Sequence, residues 1–317
     1  MMLLSLAVAT VFTLIAASAS PTAETDGTSS PSGSAAPPGK YFDRVVIFIF
    51  ENENYKAVHN DAYFGSLASK HNGVELSNYF ALTHPSQPNY IGLISGSTDG
   101  TFLDYESNIN RNSIVDLLEA KNISWKSYQE AYTGNCDTSM RIGTYARKHN
   151  PFMSMTNIQK DSNRCVNIVN ADQLDTDISN NDVPQFVFYT PDMNNCGHDT
   201  SLQYASKWFE GYLEPRIVKE NFTKSTMFVS TWDEAKDYLI PNQVQTVLFG
   251  PSFKRSSNAS SDNTKYNHYS LLKTIEDNVR TWNLKKRSGT YTHSFLSHQW
   301  DLGNLGENDA KATAISL

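Results

Sequence analysis

The run Arg44-Val-Val-Ile-Phe-Ile-Phe50 is unbroken apolar sequence after its first residue, with no polar position alternating with the hydrophobic ones. A strand covered on one face alternates, so this run predicts a strand buried on both faces of a parallel sheet. Similar β-rich runs recur at Phe186 to Tyr189, Met227 to Ser230 and Val247 to Phe249. Between them the apolar spacing turns helical: Ile114 to Lys121, behind a Ser113/Asp116 cap, then Leu202 to Leu213, and Tyr269 to Asn278. Strands alternating with helices predict an α/β fold, a mostly parallel central sheet with helices on both faces.

The acidic residues fall just past the strands. Glu51-Asn52 follows the first, Asp192 comes three residues after Tyr189, and Asp233-Glu234 closely follows the Met227 run. Ligands of open α/β sheets bind outside the carboxyl ends of strands, so the three groups are expected to converge on one edge. Ser86, in Thr83-His-Pro-Ser-Gln-Pro-Asn-Tyr90, precedes the apolar helical segment Ile91-Gly-Leu-Ile94. A helix start favours an anion and eases formation of an alkoxide, although Ser86 alone could simply cap the helix. With Glu51, Asn52, Asp233 and Glu234 around it, the serine has what a metal-activated nucleophile needs. That ligand set is all oxygen, which favours one divalent Mg, Ca or Mn ion over a zinc site of imidazole or thiolate. His198 and His268 are then available to hold phosphate or protonate a leaving group, most usefully as imidazolium, which predicts an acidic optimum. His84 is a lesser candidate beside Ser86, and His59, His71 and His149 read as surface or core residues.

Composition narrows the partners. The 317 residues include 33 acidic and 26 basic side chains, a formal charge of -7, with 19% charged and 12% aromatic residues. That argues against a disordered chain, and the lack of a basic surplus argues against nucleic-acid binding as the main task; the phosphate chemistry read from Ser86 and the acids around it makes small phosphorylated compounds the expected substrates. No GxxxxGK or GxSxG occurs, which removes P-loop and serine-hydrolase chemistry. No charged side chain precedes Glu24, and Leu3 to Ala17 is nearly continuous apolar sequence ending in small residues. It falls short of the roughly 20 residues that span a bilayer, so residues 1–20 are expected to be a signal peptide, with a signal anchor as the alternative because no Lys or Arg stands at the start. The mature protein would be secreted, free or in the cell wall, without stable membrane insertion. Residues 21–39 read as a low-complexity linker and 40–317 as one catalytic domain. Sequons at Asn122, Asn221 and Asn258 agree with secretion. Of three cysteines, Cys136 and Cys165 flank a polar connection that a disulfide would staple, which leaves Cys196 free.

Together these segments resemble the fungal phosphate-repressible acid phosphatases of the phosphoesterase family, which also holds bacterial acid phosphatases and phosphatidylcholine-hydrolysing phospholipases C. The resemblance rests on Val45 to Asn52, Thr83 to Tyr90, Thr190-Pro-Asp-Met193, Gly197-His-Asp-Thr200, Asp233-Glu234 and His268-Tyr-Ser-Leu-Leu272. It implies an alkaline-phosphatase-like fold and a phosphoserine mechanism. Ser86 would be the nucleophile, Glu51, Asn52, Asp233 and Glu234 would surround a single metal, and His198 and His268 would sit on phosphate. Asn52 and Asn89 are further phosphate candidates, and Asp192 and Asp199 possible additions to the site. Glu234 stands where bacterial relatives have Asp, and Cys196 where the fungal pattern has Asp. Fungal relatives also run almost directly from Glu-Asp-Asn into Trp-x-Leu-Gly-x-Leu-Gly, whereas here Val279 to Gln299 intervene. The segment starts with a residue of GT-type codon and ends with one that CAG can encode, as a retained intron would; a surface insertion is the alternative, and His293 and His298 within it are set aside. Two other functions stay open: phosphodiester or phospholipase C chemistry at the same site, and a catalytically silent secreted binding protein.

Overall fold

The structure, a computed structural model, describes residues 39–253, 259–281, 313–315 and 317. The signal peptide at 1–20, the linker but for Gly39, the Asn258 sequon and residues 282–299 of the suspected insertion lie outside the described residues. Eight strands form one sheet: β1 (Arg44–Phe50), β2 (Val74–Leu76), β3 (Trp125–Gln129), β4 (Ile168–Asn170), β5 (Phe186–Thr190), β6 (Thr226–Trp232), β7 (Thr246–Phe249) and β8 (Ser261–Asp262). Their order is β8-β2-β7-β6-β1-β5-β3-β4. Five neighbouring pairs are parallel, and β7 runs antiparallel to both β6 and β2. The reversal follows from the connection: no helix lies between β6 and β7 to carry the chain back across the sheet.

The four apolar runs are the strands β1, β5, β6 and β7. The sequence pattern misses β3 because it reads Trp-Lys-Ser-Tyr-Gln, half polar, yet Ser127 and Gln129 are buried. Gln129 Nε2 donates to Ser127 Oγ and, at 3.0 Å, to Thr190 Oγ1 of the neighbouring strand, so these polar groups satisfy one another in the core.

Five longer helices are α1 (Ser86–Ser95), α2 (Ile114–Ala120), α3 (Gln173–Asn180), α4 (Leu202–Ile217) and α5 (His268–Thr281). The Ser113/Asp116 capping box forms at the start of α2. Phe209 of α4 packs on Phe48 and Phe50 at ring distances of 5.1 and 4.9 Å. Val45, Ile47 and Ile49, which alternate with them and so point the other way, are equally buried. Both faces of β1 are therefore covered, and α1 packs against α5. Val279 is buried in the last turn of α5, and Ile315 N donates to Thr274 Oγ1 on the same helix. Cys136 and Cys165 form a disulfide, and Cys196 is free and buried. Asn122 is exposed in a turn, whereas Asn221 is half-buried with its amide donating to the Ile178 carbonyl. Among the described residues no helix is long and apolar enough to cross a membrane.

Candidate active site

Strands β1 and β6 are parallel neighbours in a register that sets Phe50 beside Trp232. The residues that follow, Glu51 and Asp233, therefore leave the sheet side by side, with Asp233 N donating to the Phe50 carbonyl at 2.9 Å. Asn52 turns the chain at φ 50°, a left-handed conformation that Asn tolerates better than most residues, and its N–H donates to Asp233 Oδ1 at 3.1 Å. Ser86 is the first residue of α1 and does not cap it; the Gln87 N–H donates instead to Asp104 Oδ1. The Ser86 hydroxyl is buried 3.0 Å from Glu51 Oε2 and 3.1 Å from Glu234 Oε1.

A hydroxyl has one proton to give. Two carboxylates on one hydroxyl oxygen, with buried Asp233 beside them, cannot all stay ionised without a compensating positive charge. Burial and then the Glu51 charge push Glu234 up to about 8. Burial, with Glu51 and Glu234, likewise raises Asp233 far above the carboxylate range. Burial would also raise Glu51, but His149 and Lys148 outweigh it and hold that carboxyl down to about 2. Burial lowers the pKa of His149 although the Glu51 charge works against it, and at Lys148 the Glu51 and Asp104 charges outweigh burial and raise the pKa of the ammonium. Asn52 Oδ1 and Asp233 Oδ2 are buried without hydrogen-bond partners. Orphaned oxygens among crowded carboxylates fit a divalent cation. Glu51, His149 and His198 also offer ligand atoms within 4.8 Å of one another.

The structure separates the sequence candidates. Glu51, Asn52, Ser86, Asp233 and Glu234 come together. His198 arrives on the loop after β5, where Gly197 takes φ 96°. Its Nδ1 is 2.8 Å from Asp199, which is bound in turn by Arg141, and its Nε2 is 3.2 Å from Lys148 Nζ. Asp199 thus orients His198. Asp192 faces its own loop: Oδ1 accepts from the N–H groups of Asn194 and Asn195, and Oδ2 from the Thr144 hydroxyl. Cys196 supplies the carbonyl that accepts the Glu51 N–H.

Two expectations need correcting. His268 is fully buried, with Nε2 donating to the Asp233 carbonyl at 2.8 Å and Nδ1 accepting from Tyr79 Oη at 3.1 Å. Both nitrogens are occupied and burial lowers its pKa to about 4, so it is a neutral brace behind Asp233 and not an imidazolium on phosphate. Asn89 accepts from the N–H groups of Leu82 and Thr83 and donates to the carbonyls of Thr83 and Pro85. Its amide fastens the loop that delivers Ser86, which leaves nothing for phosphate.

Sequence reasoning missed His149, which is buried 3.0 Å from Glu51 Oε1 and stacked on Tyr90. Tyr90 also donates to Glu51 Oε1. The available signal was Arg147-Lys-His149, three basic residues in a row in an acidic chain. The other two histidines read as inert pair with carboxylates, His59 with Glu75 and His71 with Glu214. His84 contacts the second Glu234 oxygen, Oε2.

The model of the phosphoesterase family matches residues 71–285. The chain belongs to the phosphoesterase family. Within reach of it are a probable acid phosphatase of Kluyveromyces lactis, 35% identical over 88% of this chain and 63% of that protein, and a phosphate-repressible acid phosphatase of Penicillium chrysogenum, 34% identical over 88% and 64%. The chain therefore spans less than two thirds of the length of these two phosphoesterases. A phosphatidylinositol-3-phosphatase of Mycobacterium tuberculosis is 27% identical over 74% of this chain and 76% of its own length. The crystal structure of an alkaline phosphatase superfamily protein from Vibrio parahaemolyticus aligns over 77% of this chain and 68% of that one, with TM-score 0.53 at 12% identity. At that identity it shows the fold alone, an alkaline-phosphatase-like one.

Proposed function

We propose that this phosphoesterase is a secreted acid phosphatase that hydrolyses phosphate monoesters through a phosphoserine at a metal-assisted site. One observation carries the reading: the Ser86 hydroxyl, at the start of α1, is held between Glu51 and Glu234 in a buried acidic cluster. The named acid phosphatase relatives support the monoester substrate, and the uncharged apolar N-terminus supports secretion.

Glu51, Asn52, Asp233 and Glu234 would hold the cation, with His149 beside Glu51 as a nitrogen donor that broadens the choice beyond Mg, Ca or Mn, while His198 is kept for the proton transfers. A bound divalent ion supplies Lewis-acid polarisation of the phosphoryl group and lowers the serine pKa. Lys148 and His198, 3.2 Å apart, would face the phosphoryl oxygens. Ser86 gives its proton to an adjacent carboxylate and its Oγ bonds to phosphorus as the ester P–O bond breaks, and His198 protonates the departing alcohol. Water then attacks phosphorus, returns a proton to His198 and releases phosphate as Ser86 regains its own. His268, bound at both nitrogens, takes no part in these proton transfers.

The test is p-nitrophenyl phosphate hydrolysis against pH, beside the bis-ester and a phosphatidylcholine. Monoester turnover strongest on the acid side, lost by about 1,000-fold or more in a folded Ser86→Ala variant, is the expected result. Undiminished turnover by that variant would remove the phosphoserine, and preference for the diester or the lipid would remove the monoesterase.

A further inference from the structure

Past Glu234 the chain surfaces abruptly: Asp233, Glu234 and Ala235 are buried, whereas 236–240 are exposed. Tyr238 in this stretch is 61% exposed, an unusual position for a large aromatic side chain, and Leu239 beside it is 94% exposed. The segment is nevertheless tied down. Ala235 N donates to Asn242 Oδ1 at 2.8 Å, Asp237 N to Asn54 Oδ1 at 3.0 Å, and Asn242 Nδ2 to the Thr83 carbonyl at 2.8 Å, immediately before the His84-Pro85-Ser86 corner. One face of the Tyr238 ring rests on the His84 imidazole, 3.9 Å between centroids and 28° between planes. His84 touches Glu234 Oε2, and Glu234 Oε1 is 3.1 Å from the Ser86 hydroxyl. An exposed ring is thereby held, through one stacked histidine and one carboxylate, at a fixed offset from the nucleophile.

A second exposed apolar stretch is tied to Gln87, the residue after Ser86. Asp104, which accepts from Gln87 N and from Lys148 Nζ, belongs to a segment on which Phe102 and Leu103 are 70% and 62% exposed. Tyr105 N is pinned to Gln87 Oε1 at 3.0 Å. The chain of contacts from the Tyr238 ring to His84, from His84 to Glu234 and from Glu234 to the Ser86 hydroxyl sets that ring beside the site. Apolar surface at the rim of a buried, charged centre suits an ester whose phosphate goes inward and whose leaving group is flat and apolar.

We propose that Tyr238, stacked on His84, is the specificity-determining platform on which the aromatic leaving group of an aryl phosphate stacks, so that the site prefers aryl over small alkyl monoesters. This rests on the phosphatase reading above for its substrate class, but the platform itself is a binding feature and can be tested without turnover. The chemical step is unchanged: Oγ–P forms, the aryl-oxygen bond to phosphorus breaks, and the phenol leaves with its proton.

The experiment measures binding of phenylphosphonate and of methylphosphonate to the full chain by calorimetry, in wild type, Tyr238→Ala and Tyr238→Phe, with phenyl phosphate and glycerol phosphate hydrolysis run in parallel. An aromatic stack is worth about 0.5–1.5 kcal/mol, so wild type should favour the phenyl ligand by roughly three- to tenfold. Tyr238→Ala should erase that preference while methylphosphonate binding stays within about twofold, and Tyr238→Phe should keep it, because the ring and not the hydroxyl makes the contact. A wild type without the preference, or a Tyr238→Ala variant that retains it or loses both ligands equally, overturns the platform. Wild type that prefers the phenyl ligand but hydrolyses neither ester leaves the platform standing and overturns the phosphatase instead.

Discussion

Asn89 makes four hydrogen bonds to the backbone of residues 82–85. Asn89→Ala would leave two N–H and two C=O groups there without their partner, a loss of about 2–4 kcal/mol. Urea unfolding should show that loss; unchanged stability with weakened phosphate affinity would mean that Asn89 binds phosphate after all. The crowded carboxylates give a second expectation. Removing divalent ions with a chelator should abolish turnover and lower the thermal midpoint, because Glu51, Asp233 and Glu234 would then repel one another in a buried space. A chelated protein with undiminished activity would rule out the metal-assisted site. At this scale Glu51, Asn52, Ser86, Asp233 and Glu234 were legible because each adjoins an apolar run or a helix start. His149 was not, because its 3.0 Å approach to Glu51 depends on a distant loop folding back over α1.

Helix α3 is fixed to strand β3 by one carboxylate. Asp177 accepts from Lys126 Nζ at 2.6 Å, from the buried Tyr128 hydroxyl, and from Gln173. Burial alone would raise its pKa, but these partners outweigh burial and lower it. A carboxyl depressed by folding contributes stability that is fully present above its unfolded value near 4 and is lost as pH falls through the lower folded value. Denaturant midpoints between about pH 5 and pH 3 should therefore fall more steeply for wild type than for Asp177→Asn, which has no such carboxyl to protonate. Equal slopes would show that Asp177 is not linked to folding. Neither this anchor nor β3 was legible in sequence, since Lys126 and Asp177 come together only when the strand and the helix 51 residues apart dock.

The Cys136–Cys165 disulfide spans 29 residues and stabilises the loop region that carries Arg141. Arg141 binds Asp199 at 3.1 Å, and Asp199 holds His198, so the staple reaches the site through two contacts. Cys165→Ser should lower unfolding free energy by roughly 3–4 kcal/mol on the chain-entropy model and reduce turnover alongside, which denaturation and kinetics of the one variant would check. Full stability without the disulfide would contradict the staple. For the molecule as a whole, the sequence by itself determined the doubly covered parallel strands, the acids at their carboxyl ends, the serine at a helix start and the family, because hydrophobic period and local motif are written in consecutive residues. Tertiary structure alone decided that β7 runs antiparallel, that His149 and Lys148 join Glu51, and that His268 and Asn89 brace the site from behind. Each of those depends on which groups a folded chain brings within hydrogen-bond distance across tens of residues, and no local pattern records that.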